Sequence, residues 1–111
     1  MNHNSPPRIR KAFVMSVNEG FEAEYERRHN PLPDEMAEAL KSHGVHNYSI
    51  FLHRETRMLF AYVEIEDQAR WDAISNTAAC RRWWSQMTEI MPSHADNSPV
   101  SNDLREVFHL A

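Results

Sequence analysis

The sequence predicts an α+β fold in the order β-α-β-β-α-β, with an antiparallel sheet. Three observations carry that expectation. Short apolar runs that read as strands stand at Ile9–Val17, Val45–His53 and Met58–Ile65, the second alternating with period two. Two stretches with helical spacing, 19–42 and 67–91, separate those runs from one another and from the C-terminal segment. A polar turn of a few residues joins the second and third runs, as a hairpin requires.

Taken in order, the first strand places Phe13, Met15 and Val17 on one face and Ala12 and Val14 on the other. Asn18 is expected to cap a helix over Glu19–His29, which Pro31 stops because it lacks an N–H and biases Asn30 away from helical geometry. Phe21, Tyr25 and His29 fall four apart on one face of that helix. A second helix is expected to start at Pro33 as its first helical residue, with Asp34 and Glu35 in its first turn, and to end at Lys41 with Gly44 just past it. Met36, Ala37 and Leu40 form its apolar stripe. In the second strand Tyr48, Ile50 and Leu52 share a side. Asp67–Ser75 reads as a short helix anchored by Trp71 and Ile74, and Thr77 as the cap of a longer one reaching about Met91, with Cys80, Trp84, Met87 and Met91 as its stripe. A polar loop then leads to a closing strand over Leu104–Leu110. This order is the ferredoxin-like split β-α-β arrangement. Both faces of the third strand are apolar, yet helices cover only one face of such a sheet, so a second copy of the chain is expected on the other, as a two-fold homodimer.

Composition narrows the function classes. A chain of 111 residues suits one domain, taken as 8–111 after a frayed start at 1–7. Twelve Lys and Arg against sixteen Asp and Glu give a net charge of −4 without a basic block, so nucleic acid is not an expected partner. No apolar run approaches a membrane span or a signal peptide, and the single cysteine, Cys80, points to a cytoplasmic protein. Cys80 also precludes an internal disulfide or a multi-cysteine zinc site. His43 and His46 flank the helix stop at Gly44 and so lack the one-face geometry of a helical zinc pair; no metal is expected. With two glycines in the chain there is no phosphate loop, and no Gly-x-Ser-x-Gly elbow marks a serine nucleophile. No cofactor is expected.

Two clusters carry candidate chemistry. At the end of the first helix, the helix dipole favours an imidazolium at His29 while Arg27 and Arg28, if unpaired, oppose it; either way the residue titrates near neutrality, as a general acid or base should. Trp83 and Trp84 point about 100° apart on a helix. Trp84 continues the core stripe, leaving Trp83 nearer the rim, where its face can stack on a sugar's C–H surface.

The segments Arg10-Lys11-Ala12-Phe13-Val14-Met15, Glu24-Tyr25, Arg27-Arg28-His29-Asn30-Pro31, Lys41-Ser42-His43-Gly44 and His46-Asn47-Tyr48 resemble the L-rhamnose mutarotase family. The likeness continues through Val63-Glu64-Ile65-Glu66, Arg70-Trp71, Arg82-Trp83-Trp84, Met91-Pro92, Asp96-Asn97-Ser98-Pro99-Val100 and Glu106-Val107-Phe108, so it spans roughly residue 8 to the C-terminus. It implies a dimeric α+β barrel that interconverts the α and β anomers of L-rhamnose without metal or organic cofactor. By position it implies His29 as proton donor, Tyr25 and Tyr48 as substrate-binding tyrosines, and Trp83 with Trp84 as the pair bordering the sugar. One departure is Leu32-Pro33-Asp34, where the family often has a tryptophan followed by proline. The base is left open among Tyr25, a water and a carboxylate such as Glu64 or Glu106. Two other classes fit the same fold and aromatic content: a cofactor-free monooxygenase of the dimeric barrel type and a non-catalytic sugar-binding module.

Overall fold

The computed structural model describes residues 7–111, so all but Pro7 of the expected frayed start lies outside the described residues. The elements are β1 (Ile9–Ser16), α1 (Glu22–Arg28), α2 (Asp34–Ser42), β2 (Val45–His53), β3 (Met58–Ile65), α3 (Gln68–Ala73), α4 (Ala78–Met87) and β4 (Asn102–Leu104), with a 3₁₀ turn at Ile74–Asn76 between α3 and α4. They form one antiparallel sheet in the order β2-β3-β1-β4. The third strand lies between the first two, which is the expected split β-α-β topology.

Alternation decides what each face of the sheet meets. Leu59, Ala61, Val63 and Ile65 of β3 are buried beneath the helices together with Met15 and Val17. Full burial of a side chain such as Ile65 stabilises the fold by about 1.5–3 kcal/mol. The alternate positions Met58, Phe60 and Tyr62 face the other way, opposite Ser16, Val14 and Ala12 of β1. The β2 strand carries a bulge between His46 and Ser49, with Asn47 at φ 47°. That extra residue changes the side-chain phase, so Val45 packs in the same layer as Tyr48 and Ile50.

Local chemistry moves several boundaries. The first helix starts at Glu22 rather than Glu19, because Gly20 adopts φ 88° and Phe21 N–H closes a turn onto the Asn18 carbonyl at 3.0 Å. Asn18 is committed elsewhere: its N–H donates to the Ile90 carbonyl (2.8 Å), tying the end of β1 to the loop after α4. Pro33 is the residue before α2 rather than its first helical residue, and its carbonyl accepts from Met36 and Ala37. The stop is as expected, with Gly44 at φ 79°, where a Cβ would press on the Glu66 side chain at 3.0 Å. Asp67 and Thr77 cap α3 and α4, accepting from the N–H groups of Arg70 (2.9 Å) and Cys80 (3.1 Å).

The two expected C-terminal extensions are shorter. Regular α4 ends at Met87, although Ile90 and Met91 stay buried because their N–H groups both turn back onto the Met87 carbonyl. The closing strand occupies Asn102–Leu104 instead of Leu104–Leu110. It pairs only with Ala12–Val14 of β1, and beyond Leu104 the chain leaves the sheet edge.

Candidate active site

A cavity of about 1170 Å³ opens between the sheet and the helices. It lies at or above the upper end of the usual range for small-molecule sites, roughly 300–1,000 Å³. His29, Tyr25, Tyr48, Trp83 and Trp84 all line it, so the five residues singled out from the sequence are brought together.

Tyr25 and His29 come from one face of α1. Tyr25 is buried at 8% exposure, and its ring lies 4.4 Å from the His29 ring, tilted by 34°. His29 ends the helix, and its Nδ1 lies 2.7 Å from the Tyr25 carbonyl oxygen. A carbonyl only accepts, so Nδ1 carries the hydrogen and Nε2 is left to exchange the working proton. Trp83 meets the imidazole from α4, ring centres 5.0 Å apart and planes at 88°.

These surroundings settle the electrostatics of His29. Burial lowers its pKa below 6.5, and the hydrogen bond to Tyr25 offsets part of that. The neighbouring arginines are not the cause. Arg27 pairs with Glu24 (2.8 and 2.5 Å), while Arg28 pairs with Glu24 (2.6 Å) and Glu89 (2.5 Å) and also donates to the Gln86 carbonyl. The same contacts draw the Glu24 carboxyl down to about 2.

Tyr48 is held by aromatic neighbours that the sequence reading did not assign to the site. Phe13 and Trp71 stand 6.3 and 6.1 Å from its ring, and 6.3 Å from each other. Burial raises the Tyr25 and Tyr48 hydroxyls far above the usual range, so both are neutral donors at physiological pH. It also pushes the Cys80 thiol up to about 11, which leaves little thiolate.

The tryptophan pair divides differently from the expectation. Trp83, placed nearer the rim, packs against both core clusters as well as His29, whereas Trp84 packs only on the cluster around Met36 and Val63. Both are half-buried and both reach the cavity.

Two candidate bases fall away from this site. Glu64 faces the opposite side of the sheet, bound by Arg8 (3.1 Å), Asn47 (3.0 Å) and the Tyr62 hydroxyl (2.9 Å). Glu106 is held by two bonds from Arg10, at 3.0 and 2.9 Å. Neither lines the cavity. Polar residues that do, and that the sequence reading missed, include Lys11, Gln68 and Asp103. Lys11 was legible in principle, because alternation sets it on the face of Phe13 and Met15. The Ser93–Asp103 segment borders the cavity through His94, Asn97, Ser98 and Pro99, and Asp96 braces it by accepting from Ser98 N–H at 2.9 Å. His43 and His46 have structural partners: His43 Nδ1 lies 2.7 Å from the Ala39 carbonyl, and His46 Nε2 lies 2.6 Å from Glu66.

The sequence model of L-rhamnose mutarotase matches residues 10–110, which takes in every one of these cavity residues from Lys11 to Asp103. The chain belongs to the L-rhamnose mutarotase family. It is 71% identical over 102 residues to the L-rhamnose mutarotase of Opitutus terrae, covering 92% of this chain and 98% of that one. It is 57% identical to the L-rhamnose mutarotase of Escherichia coli O8, with the same coverage. Among solved structures, the L-rhamnose mutarotase of Formosa agariphila superposes with a TM-score of 0.85 at 39% identity, over 93% of this chain and 99% of that one. A candidate antibiotic biosynthesis monooxygenase from Bordetella bronchiseptica matches with a TM-score of 0.69 at 16% identity, over 93% and 100%. That likeness concerns the fold alone.

Proposed function

We infer that this chain is an L-rhamnose mutarotase that opens and recloses the sugar ring with His29 as its proton carrier. The activity follows from family membership, and the observation that supports the residue assignment is the His29 setting. Nδ1 is fixed on the Tyr25 carbonyl, Trp83 abuts the ring, and Nε2 is the nitrogen free to work beside a cavity large enough for a monosaccharide.

Mutarotation needs one proton delivered to the ring oxygen and another removed from the anomeric hydroxyl. In our reading the imidazolium gives its Nε2 proton to the ring oxygen. The bond from the anomeric carbon to that oxygen breaks, and its electron pair stays on the oxygen. The anomeric hydroxyl loses its proton and becomes the aldehyde oxygen. Rotation about the adjacent carbon–carbon bond presents the other face, and on closure neutral His29 takes the proton back while the aldehyde oxygen is protonated. A lowered pKa makes the imidazolium a stronger but scarcer acid. Tyr25 is held neutral and Glu64 and Glu106 lie outside the cavity, whereas Glu22, Glu26, Asp72 and Asp103 line it, so the hydroxyl proton passes to a water or to one of these carboxylates. Positioned acid–base catalysis contributes about 10²–10⁴-fold, equivalent to about 3–5.5 kcal/mol of barrier.

The other residues hold the sugar. Tyr25 and Tyr48 donate hydrogen bonds to its hydroxyls, and Trp83 and Trp84 stack on its apolar C–H surface. We assign the activity to a single domain over 8–111 and a cytoplasmic setting, in keeping with one buried cysteine and no helix among the described residues long and apolar enough to cross a membrane. We assign a homodimer through the outward sheet face, where Phe51 and Phe60 stand side by side and exposed.

The test is exchange NMR on the anomers of L-rhamnose with catalytic amounts of the protein. Faster exchange between the anomer signals supports the reading; binding without faster exchange would make the protein a sugar-binding module.

A further inference from the structure

One side-chain cation enters the cavity. Alternation along β1 sets Lys11 on the inward face with Phe13 and Met15, opposite the buried Val63, and it is the one lysine or arginine among the described residues that line the cavity. A charge drawn partly out of water is stabilised by a partner of opposite sign. Arg10, Arg28, Arg70 and Arg82 each have one, whereas the half-buried Lys11 has a neutral partner, donating to the Gln68 carbonyl oxygen at 3.2 Å. An ammonium carries three N–H donors, and among the described residues Gln68 engages one of them. The others are left for a guest.

The neutral partner is itself held in place. Gln68 and Asp72 fall four apart on α3, and the Gln68 amide N–H donates to Asp72 Oδ1 at 2.8 Å, which turns the amide oxygen toward Lys11. Asp67 caps that helix, and Arg70 fastens it to Glu66 (3.0 Å) and to the Ser42 carbonyl (2.6 Å). The series Asp72, Gln68, Lys11 thus crosses from α3 to β1 along one side of the cavity, already oriented before a ligand arrives. Strand geometry sets its separation from His29. Lys11 stands two inward rows, about 13 Å, along β1 from Met15, in whose cluster Tyr25 packs beside His29. Phe13 occupies the row between, against Tyr48 and Trp71.

We propose that Lys11 anchors the sugar by its 3- and 4-hydroxyls, with Gln68 and Asp72 as positioning residues, while His29 works on the far side of the ring. This rests on the mutarotase reading above and adds what fixes the orientation of the substrate. The bond that breaks joins C1 to the ring oxygen, and C3 and C4 lie directly across a pyranose ring from those two atoms. With His29 at the ring oxygen, the edge that faces along the cavity toward Lys11 carries that vicinal hydroxyl pair. The unfilled N–H donors of one ammonium suit two adjacent hydroxyl oxygens. The anchor also suits the open form. The aldehyde must turn about the C1–C2 bond while the C5 oxygen waits to attack its other face, and a tether at C3 and C4 holds the rest of the chain through that turn.

Exchange NMR over a range of sugar concentrations, on L-rhamnose and on 4-deoxy-L-rhamnose, gives the test, with calorimetric titration of L-rhamnose into the same proteins and circular dichroism for folding. Lys11→Met keeps an aliphatic stem and removes the ammonium. It should raise KM and the dissociation constant for L-rhamnose about ten-fold or more, change kcat by less, and have a smaller effect on the 4-deoxy sugar. Lys11→Arg should recover part of the loss, and Gln68→Leu, which leaves the ammonium unheld, should raise KM by a smaller factor than Lys11→Met. Unchanged affinity for L-rhamnose in the folded Lys11→Met protein, or an equal loss on both sugars, would overturn the anchor and leave the mutarotase reading standing. A parent protein that binds L-rhamnose without speeding exchange would overturn that reading, and the titration of Lys11→Met would still decide the anchor.

Discussion

The indole of Trp83 stands edge-on to the imidazole of His29, 5.0 Å between ring centres and 88° between planes, so a residue of α4 sets the environment of the group at the end of α1. Replacing Trp83 with Ala should let water reach His29 and raise its pKa back toward 6.5, because desolvation is the main cause of the lowering. Imidazole chemical shifts followed against pH measure this directly. The variant should also bind L-rhamnose more weakly; an unchanged His29 midpoint together with unchanged affinity would remove Trp83 from the site.

The pH dependence has a definite sign. If His29 donates the proton, kcat/KM tracks the imidazolium and falls as pH rises through a midpoint below 6.5. The measurement is the enzyme-catalysed anomer exchange rate with the uncatalysed rate subtracted at each pH. A rate that instead climbs with pH through that midpoint would mean that neutral His29 acts first, as a base. Stability should move the opposite way to activity. The folded state favours neutral imidazole, so the stability from this group is fully present above 6.5 and is lost as pH falls through the folded pKa.

Tyr25 and Tyr48 separate binding from packing. Removing only a hydroxyl, as Tyr25→Phe or Tyr48→Phe, deletes one donor to the sugar and should weaken binding by about 0.5–1.5 kcal/mol, or roughly 2- to 13-fold in KM, with little change in melting temperature. Tyr25→Ala also empties core volume, because the ring is buried, and should cost about 3–5 kcal/mol of stability. Comparing urea denaturation with KM across these variants checks the division; a Phe variant as active as the parent would reduce that tyrosine to a packing residue.

Thr77 offers a control away from the chemistry. Its hydroxyl oxygen accepts from Cys80 N–H at 3.1 Å and starts the helix that carries both tryptophans. Thr77→Ala should cost about 1 kcal/mol, read by thermal or urea unfolding, while exchange activity at low temperature stays near that of the parent. A selective loss of activity without loss of stability would mean that the cap positions the tryptophans more tightly than this account requires.

Much of this was legible in the sequence because it follows from period and punctuation. Short apolar runs bounded by polar turns placed β1, β2 and β3, and the i, i+4 relation of Tyr25 and His29 survived although α1 begins three residues later than expected. That late start came from Gly20, whose left-handed turn diverts Asn18 from capping, a competition a spacing rule does not weigh. The arginines beside His29 misled for a similar reason: they are near in sequence but spend their charge on Glu24 and Glu89. Phe13 and Trp71 escaped notice as neighbours of Tyr48 because three separate elements bring them together, and no local pattern encodes such a meeting. The C-terminal strand was overextended because apolar alternation marks what a segment can pair with, not whether its own chain supplies the partner.

Ring opening turns on His29 carrying the proton. Its most direct test is saturation-transfer NMR between the α and β anomer signals of L-rhamnose, comparing the parent with His29→Gln at equal concentrations, with folding checked by circular dichroism. The prediction is a loss of about 10²–10⁴-fold in catalysed exchange with the fold retained. Exchange by the folded variant at the parent's rate would contradict it.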